Sequence, residues 1–278
     1  MTKYSPSPRP TFDRPVRIDR AFVTRHIWGD GEAGEVADWI YVSSDNIHLL
    51  EFGLAPGGAF THSEEFRTIF GADELLYVLE GTMVLANPET GEVLRVPQGQ
   101  SAYFRKDTWH HAFAHGGGPC RVLEFFSPPP STGASGAYAR TKPYLKESRY
   151  RDDSLIGCWP AGSRKRTTLQ LVDERETLWT RDLGVLVGLY FSTEHLHAGV
   201  VEVNPGERSA RHVHSGDEVL YSLSGALHVR AVHAGETTVL ELAPGDVAYL
   251  PAGCEHEYAC FGSELARALL GVAPGLLP

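Results

Sequence analysis

The chain repeats itself, and that repetition constrains its fold more than any other feature. Tyr41-Val-Ser-Ser-Asp-Asn-Ile-His48, running on to Pro56-Gly57, lies over Tyr190-Phe-Ser-Thr-Glu-His-Leu-His197, running on to Pro205-Gly206, at an offset of 149 residues without a gap. Glu74-Leu-Leu-Tyr77-Val-Leu-Glu-Gly81 matches Glu218-Val-Leu-Tyr221-Ser-Leu-Ser-Gly225 at an offset of 144. Gly99, Tyr103 and His110 match Gly245, Tyr249 and His256 at 146. Blocks in the same order at a nearly constant offset mean two copies of one domain.

The matched blocks read as strands. Leu76–Leu79, Val84–Ala86, Val219–Leu223, Ala226–Arg230 and Thr237–Leu242 are short and often β-branched or aromatic, with Gly, Pro, Asn or Asp between them. That is the pattern of an all-β sandwich or barrel. Helical signals are weak, and only Val172–Trp179 and Ser263–Leu270 are expected to supply a turn or two of helix. Ser127-Pro-Pro-Pro-Ser-Thr-Gly-Ala-Ser-Gly136 has the composition of a linker. The boundary is therefore expected near residue 130, giving one copy over 1–130 and the linker plus second copy over 131–278.

Composition excludes several function classes. A net charge of −10, with only Arg164-Lys165-Arg166 as a basic cluster, leaves nothing to neutralise phosphates, so nucleic acid is not expected as a partner. No apolar run approaches the roughly 20 residues of a membrane helix, and the N-terminal sequence lacks the apolar stretch of a secretory signal. Cys120, Cys158, Cys254 and Cys260 show no Cys-x-x-Cys spacing, which predicts a cytoplasmic protein with reduced thiols.

The second copy carries the chemistry. His212-Val-His214 places two imidazoles on one face of a strand, because side chains two apart point the same way. Glu218 opens the next strand after a tight turn around Ser215-Gly216-Asp217. Pro251-Ala-Gly253 is a second turn, leading into the strand that brings His256 in from another side. Inside a closed barrel such inward groups converge. Three imidazoles and a carboxylate suit iron, manganese, nickel, copper, cobalt or zinc, and leave coordination positions open. Glu255 and Glu257, flanking His256, are expected to face away.

Both stretches resemble the two sequence motifs of the cupin superfamily, and the second copy matches every spacing except the final Asn, where Cys260 stands. The whole chain resembles a bicupin. The resemblance implies two small double-stranded β-helix barrels, with His212, His214, Glu218 and His256 as ligands of one divalent metal.

The first copy has drifted. His110 matches His256 and Glu74 matches Glu218, but the tract between Gly57 and Glu74 is five residues longer than its counterpart. Without a gap Ser63 and Glu65 fall where His212 and His214 stand, and slipping by one residue puts His62 and Glu64 there instead. A weakened site would use His62, Glu64 or Glu65, Glu74 and His110. The preferred expectation is a structural barrel that supplies a partner surface or lid. Arg105 and Asp107 replace Pro251 and Gly253, which is expected to change the second turn. His111 is read as an ordinary strand residue.

Bicupins include ring-cleaving dioxygenases, oxalate-degrading enzymes and ureidoglycine aminohydrolases. Oxalate-decarboxylase-like bicupins carry complete ligand sets in both barrels, whereas this chain does so only in the second. The expected function is a non-haem Fe(II) oxygenase of the dioxygenase type acting on a small organic substrate. The alternatives are a redox-neutral Mn(II)-, Ni(II)- or Zn(II)-dependent hydrolase, isomerase or lyase, and a non-catalytic small-molecule-binding cupin. Exposed sheet edges in small barrels pair, so a homodimer is the expected assembly.

Overall fold

A computed structural model of the protein describes residues 7–63, 66, 68–129 and 168–274. Among these residues the structure is all-β, and its only helical element is a single 3-10 turn at Arg20–Phe22. No described helix is long and apolar enough to cross a membrane. The described residues divide into two compact units, those within 1–9, 25–40 and 50–173 in one and those within 10–24, 41–49 and 174–278 in the other. The expected boundary near residue 130 lies outside the described residues.

Both units follow one plan. In the first, a seven-stranded sheet runs Gln170–Val172, Ser101–Phe104, Asp73–Glu80, Cys120–Ser127, His48–Leu54, Gly34–Ser43 and Thr24–Asp30. A four-stranded sheet runs Ala59–Phe60, His111–Ala114, Thr82–Asn87 and Glu92–Pro97. In the second, the seven strands are Val16–Ile18, Val247–Leu250, Asp217–Ser224, Ala266–Ala273, His197–Val203, Val185–Ser192 and Leu178–Asp182. The four are His212–Val213, Glu255–Ala259, Leu227–His233 and Glu236–Leu242. The repeat in sequence is thus a repeat in topology. Each large sheet ends on a short strand from outside the matched blocks: Gln170–Val172 in one, Val16–Ile18 in the other.

Neither expected helix forms. Val172 ends one strand and Leu178 begins the next, with a turn between. Ala266–Ala273 is a central strand, paired on both sides with His197–Val203 and Asp217–Ser224. Its Ala and Leu residues favour a helix in isolation, but burial between two strands overrides that preference.

The two cores differ in what fills them. The first holds Phe52, Phe60, Phe70, Phe104 and Phe126. The second is built of Val, Leu, Ala and Cys, with Tyr258 its one aromatic member. Each Leu or Val buried there contributes roughly 1.5–3 kcal/mol. The turn that introduces His256 in one unit and His110 in the other keeps its shape. Gly253 takes φ 78° and Asp107, its counterpart, takes φ 64°. The expected change in that turn does not occur, because Asp tolerates the left-handed region better than most side chains.

Candidate metal centre

The site is assembled by cross-strand pairing in the second unit. His212 lies directly opposite His256, while Val213 opposite Glu255 faces outward and is exposed. Glu218 enters from the large sheet, between Leu250 on one side and Val272 on the other. The bend between His214 and Glu218 has room only for glycine: a Cβ on Gly216 would lie 2.4 Å from the carbonyl oxygen of Ala273. As expected, Glu255 and Glu257 turn away from the cluster and face Arg211 and Arg208.

Donor atoms of His212, His214, Glu218 and His256 all lie within 4.8 Å of one another. Glu218 Oε2 sits 2.7 Å from His214 Nδ1 and 3.0 Å from His256 Nε2. The Nδ1–H of His212 and that of His256 each donate to a backbone carbonyl, of Ala210 and Cys254 respectively, at 3.0 Å. Such bonds fix ring orientation and turn Nε2 inward. His212 Nε2 is buried without a hydrogen-bond partner, an atom that a cation would satisfy. These donors fit a first-row divalent metal.

The electrostatics favour an anionic Glu218. Burial alone would push the Glu218 carboxyl up. The charge of His256 and the hydrogen bonds from His214 and His256 outweigh it and hold the carboxyl well below the usual range. Burial lowers His256, yet the Glu218 charge and hydrogen bond together with the bond to the Cys254 carbonyl outweigh it, so its net displacement is upward. His212 is lowered by burial and by the neighbouring His256. These contacts keep the Glu218 carboxylate ionised.

Sequence reasoning missed Tyr258. Its hydroxyl donates to Glu218 Oε1 at 2.6 Å and lies 3.3 Å from His256 Nε2. The available signal was parity: Tyr258 is two residues beyond His256 on the same strand and shares its inward face. Cys254, close to His256 in sequence, is buried in the apolar core instead.

In the first unit the structure unites Glu74 and His110, with Nε2 to Oε2 at 3.6 Å, and adds Glu124 within the same 4.8 Å span. His62 is not part of this group. Its Nδ1 lies 3.0 Å from His111 Nε2, the two rings stack, and Trp109 packs edge-on against both. His111 is thus a buried partner of His62 rather than an ordinary strand residue. Ser63 donates to Asp30, while Glu64 and Glu65 lie outside the described residues. His110 is caged by the rings of Phe60, Phe70 and Phe104, and burial pushes it down to about 4. Burial pushes Glu124 up to about 8, and burial with the neighbouring Glu124 raises Glu74 well above its ordinary range. Glu124 faces Leu76 where Leu270 faces Leu220, so the first copy has a carboxyl at an aliphatic position of the second.

Comparison with known proteins agrees with the duplicated fold. The cupin-domain family matches residues 52–126 and 199–272, once in each copy and together more than half of the chain. No curated protein matches the sequence. By fold the chain is similar to the oxalate decarboxylase of Lactobacillus farciminis, solved as a formate complex. That match has 15% identity, covers 95% of this chain and 87% of that chain, and has a TM-score of 0.64. It is also similar to the oxalate decarboxylase of Bacillus subtilis, studied for its Mn(II) centres, at 16% identity, 95% and 78% coverage and a TM-score of 0.65. At such identities the likeness shows the fold. With a cupin match in each copy and one strand plan shared by both units, the chain is a two-domain member of the cupin family.

Proposed function

We propose that the second unit is the active centre of a divalent-metal-dependent enzyme that converts a small organic substrate. His212, His214, Glu218 and His256 hold the cation in this reading. It is carried by the convergence of their donor atoms within 4.8 Å around a buried, unmatched His212 Nε2. A bound metal supplies either a meeting point for O₂ and substrate or Lewis acidity toward a carbonyl or water.

Fe(II)-dependent oxygenation is the reading we favour. The second core is built of aliphatic side chains with Cys254, Cys260 and Tyr258, without the phenylalanines that fill the first. Among the described residues no Lys or Arg side chain is buried. An anionic substrate would thus find no buried cationic partner among the described residues besides the proposed metal, which favours a largely neutral organic molecule. In this reading the chain's own groups orient the substrate, exclude water and hold a proton at Tyr258 Oη, which donates to Glu218 Oε1. A redox-neutral Mn(II) enzyme is the second reading, favoured by the fold shared with the Mn(II)-containing oxalate decarboxylase of Bacillus subtilis.

Anaerobic reconstitution with Fe(II), followed by O₂-uptake assays over phenols, diketones and amino-acid derivatives, separates them. Substrate-dependent O₂ consumption lost in His256→Ala is the expected result. Turnover indifferent to O₂, or conversion of oxalate by the Mn(II)-loaded protein, would overturn the oxygenase reading. Protein purified without added metal and holding none would favour a non-catalytic binding role.

A further inference from the structure

We propose that Tyr258 is the positioning residue of the metal centre: its phenol engages one oxygen of Glu218 and leaves only the other for a cation. The inference rests on the metal reading above and concerns how the carboxylate is presented. The two oxygens of Glu218 already have separate tasks. Oε2 faces His214 Nδ1 at 2.7 Å and His256 Nε2 at 3.0 Å, while Oε1 accepts from the Tyr258 hydroxyl at 2.6 Å. A carboxylate can serve a cation with one oxygen or with both. A short hydrogen bond to an ionised acceptor is among the strong ones, and it competes directly for the second oxygen.

Tyr258 is itself firmly held. Its backbone N–H donates to Ser209 Oγ at 2.8 Å, and its carbonyl accepts from Ser209 N at 2.9 Å. Its ring packs edge-on against His212 at 5.0 Å and tilted against His256 at 5.4 Å. The phenol can therefore neither swing away from Oε1 nor be replaced by water without moving two ligands. The first copy serves as an internal comparison. At the offset that relates His110 to His256, Tyr258 corresponds to Ala112, which is fully buried and has no hydroxyl to offer. There the matching Glu74 lies beside Glu124 rather than a phenol. The phenol accompanies the complete ligand set and is missing from the eroded one.

A six-coordinate Mn(II) held by four single-atom ligands keeps about two positions for water or substrate, and a second carboxylate oxygen would take one of them. The test loads metal-free wild type and Tyr258→Phe with Mn(II), counts exchangeable waters by ¹⁷O-water relaxation, and measures Mn(II) affinity by competition with a chelator. The wild type is expected to show about two exchangeable waters and Tyr258→Phe about one, with affinity weakened about 10–100-fold. Wild-type affinity and an unchanged water count in Tyr258→Phe would overturn the proposal while leaving the metal site standing. So would a wild type with one water, a measurement that needs no variant to fold. Wild type that takes up no Mn(II), Fe(II) or Zn(II) would defeat the metal reading and this inference with it. A merely packing role for the ring would move the melting temperature of the metal-free protein without changing the water count.

Discussion

Glu124→Gln tests whether the first unit stores a proton where the second has an aliphatic side chain. Burial is the largest cause of the displacement of Glu124, whose carboxyl is pushed up from 4.5 to about 8, with nearby Asp38 adding to it. A group raised on folding favours the folded state fully below its unfolded value, here about pH 4.5, and that contribution drains away as the pH climbs through about 8. A gap of roughly 3.5 pH units at 1.36 kcal/mol each sets a ceiling of about 5 kcal/mol. Glu74 draws on the same proton, so the share belonging to Glu124 is smaller, on the order of 2–3 kcal/mol. Glutamine keeps the shape and cannot ionise. Wild type should therefore lose stability relative to Glu124→Gln between pH 5 and pH 8.5, with a melting difference of roughly 5–10 °C at the alkaline end. Urea and thermal unfolding with chelator present, followed by tryptophan fluorescence, provides the assay. Trp28, Trp39 and Trp109 all lie in the first unit and report on it. A wild-type-to-variant difference that stays constant from pH 5 to pH 8.5 would refute the idea that burial holds a proton on this pair.

His212→Ala and His256→Ala should each reduce metal content to background by elemental analysis, because each removes one of the proposed ligands. His110→Ala should retain the metal of the second unit but lose about 2 kcal/mol or more of stability, since a cavity opens inside the Phe60, Phe70 and Phe104 cage. Full retention of metal in His212→Ala would show that the other unit holds it. Gly216→Ala should destabilise the protein by about 1–3 kcal/mol in thermal melts, because its Cβ would meet the Ala273 carbonyl oxygen at 2.4 Å. Its metal affinity should fall as well, since this bend sets Glu218 against His214, and an unperturbed affinity would argue that the bend is not what places them.

The strand plan and the four converging donors were legible because both rest on short-range arithmetic. Alternation puts His212 and His214 on one face, and the turn at Pro251-Ala-Gly253 brings in His256. Tyr258 obeyed the same parity, but its importance depends on reaching Glu218 across the barrel, a contact that no spacing encodes. Glu124 was harder still. Its counterpart is Leu270, so the repeat predicts an apolar residue, and only the register opposite Leu76 shows that the carboxyl points inward. His62 read as a candidate for a weakened site because it occupies an inserted tract, where sequence alignment gives no register. Its ring turns to His111 instead. The helix expected over Ser263–Leu270 failed for the opposite reason: local preference was sound, and burial between two strands overruled it.

The strand Val16–Ile18 gives the polypeptide an order of events. It is released from the ribosome long before Val247–Leu250, yet the two pair residue for residue, Val16 with Tyr249 and Ile18 with Val247. Arg17 also reaches the buried Asp246 at 2.9 Å. Until the second copy emerges, this segment has no sheet to join, and until the segment returns, Val247–Leu250 presents a bare edge open to a neighbouring chain. Closure across nearly the full length of the chain is slow, because loop entropy is spent before the contacts form. A fragment cut between the copies would carry all four candidate ligands and still lack the strand that seals their sheet.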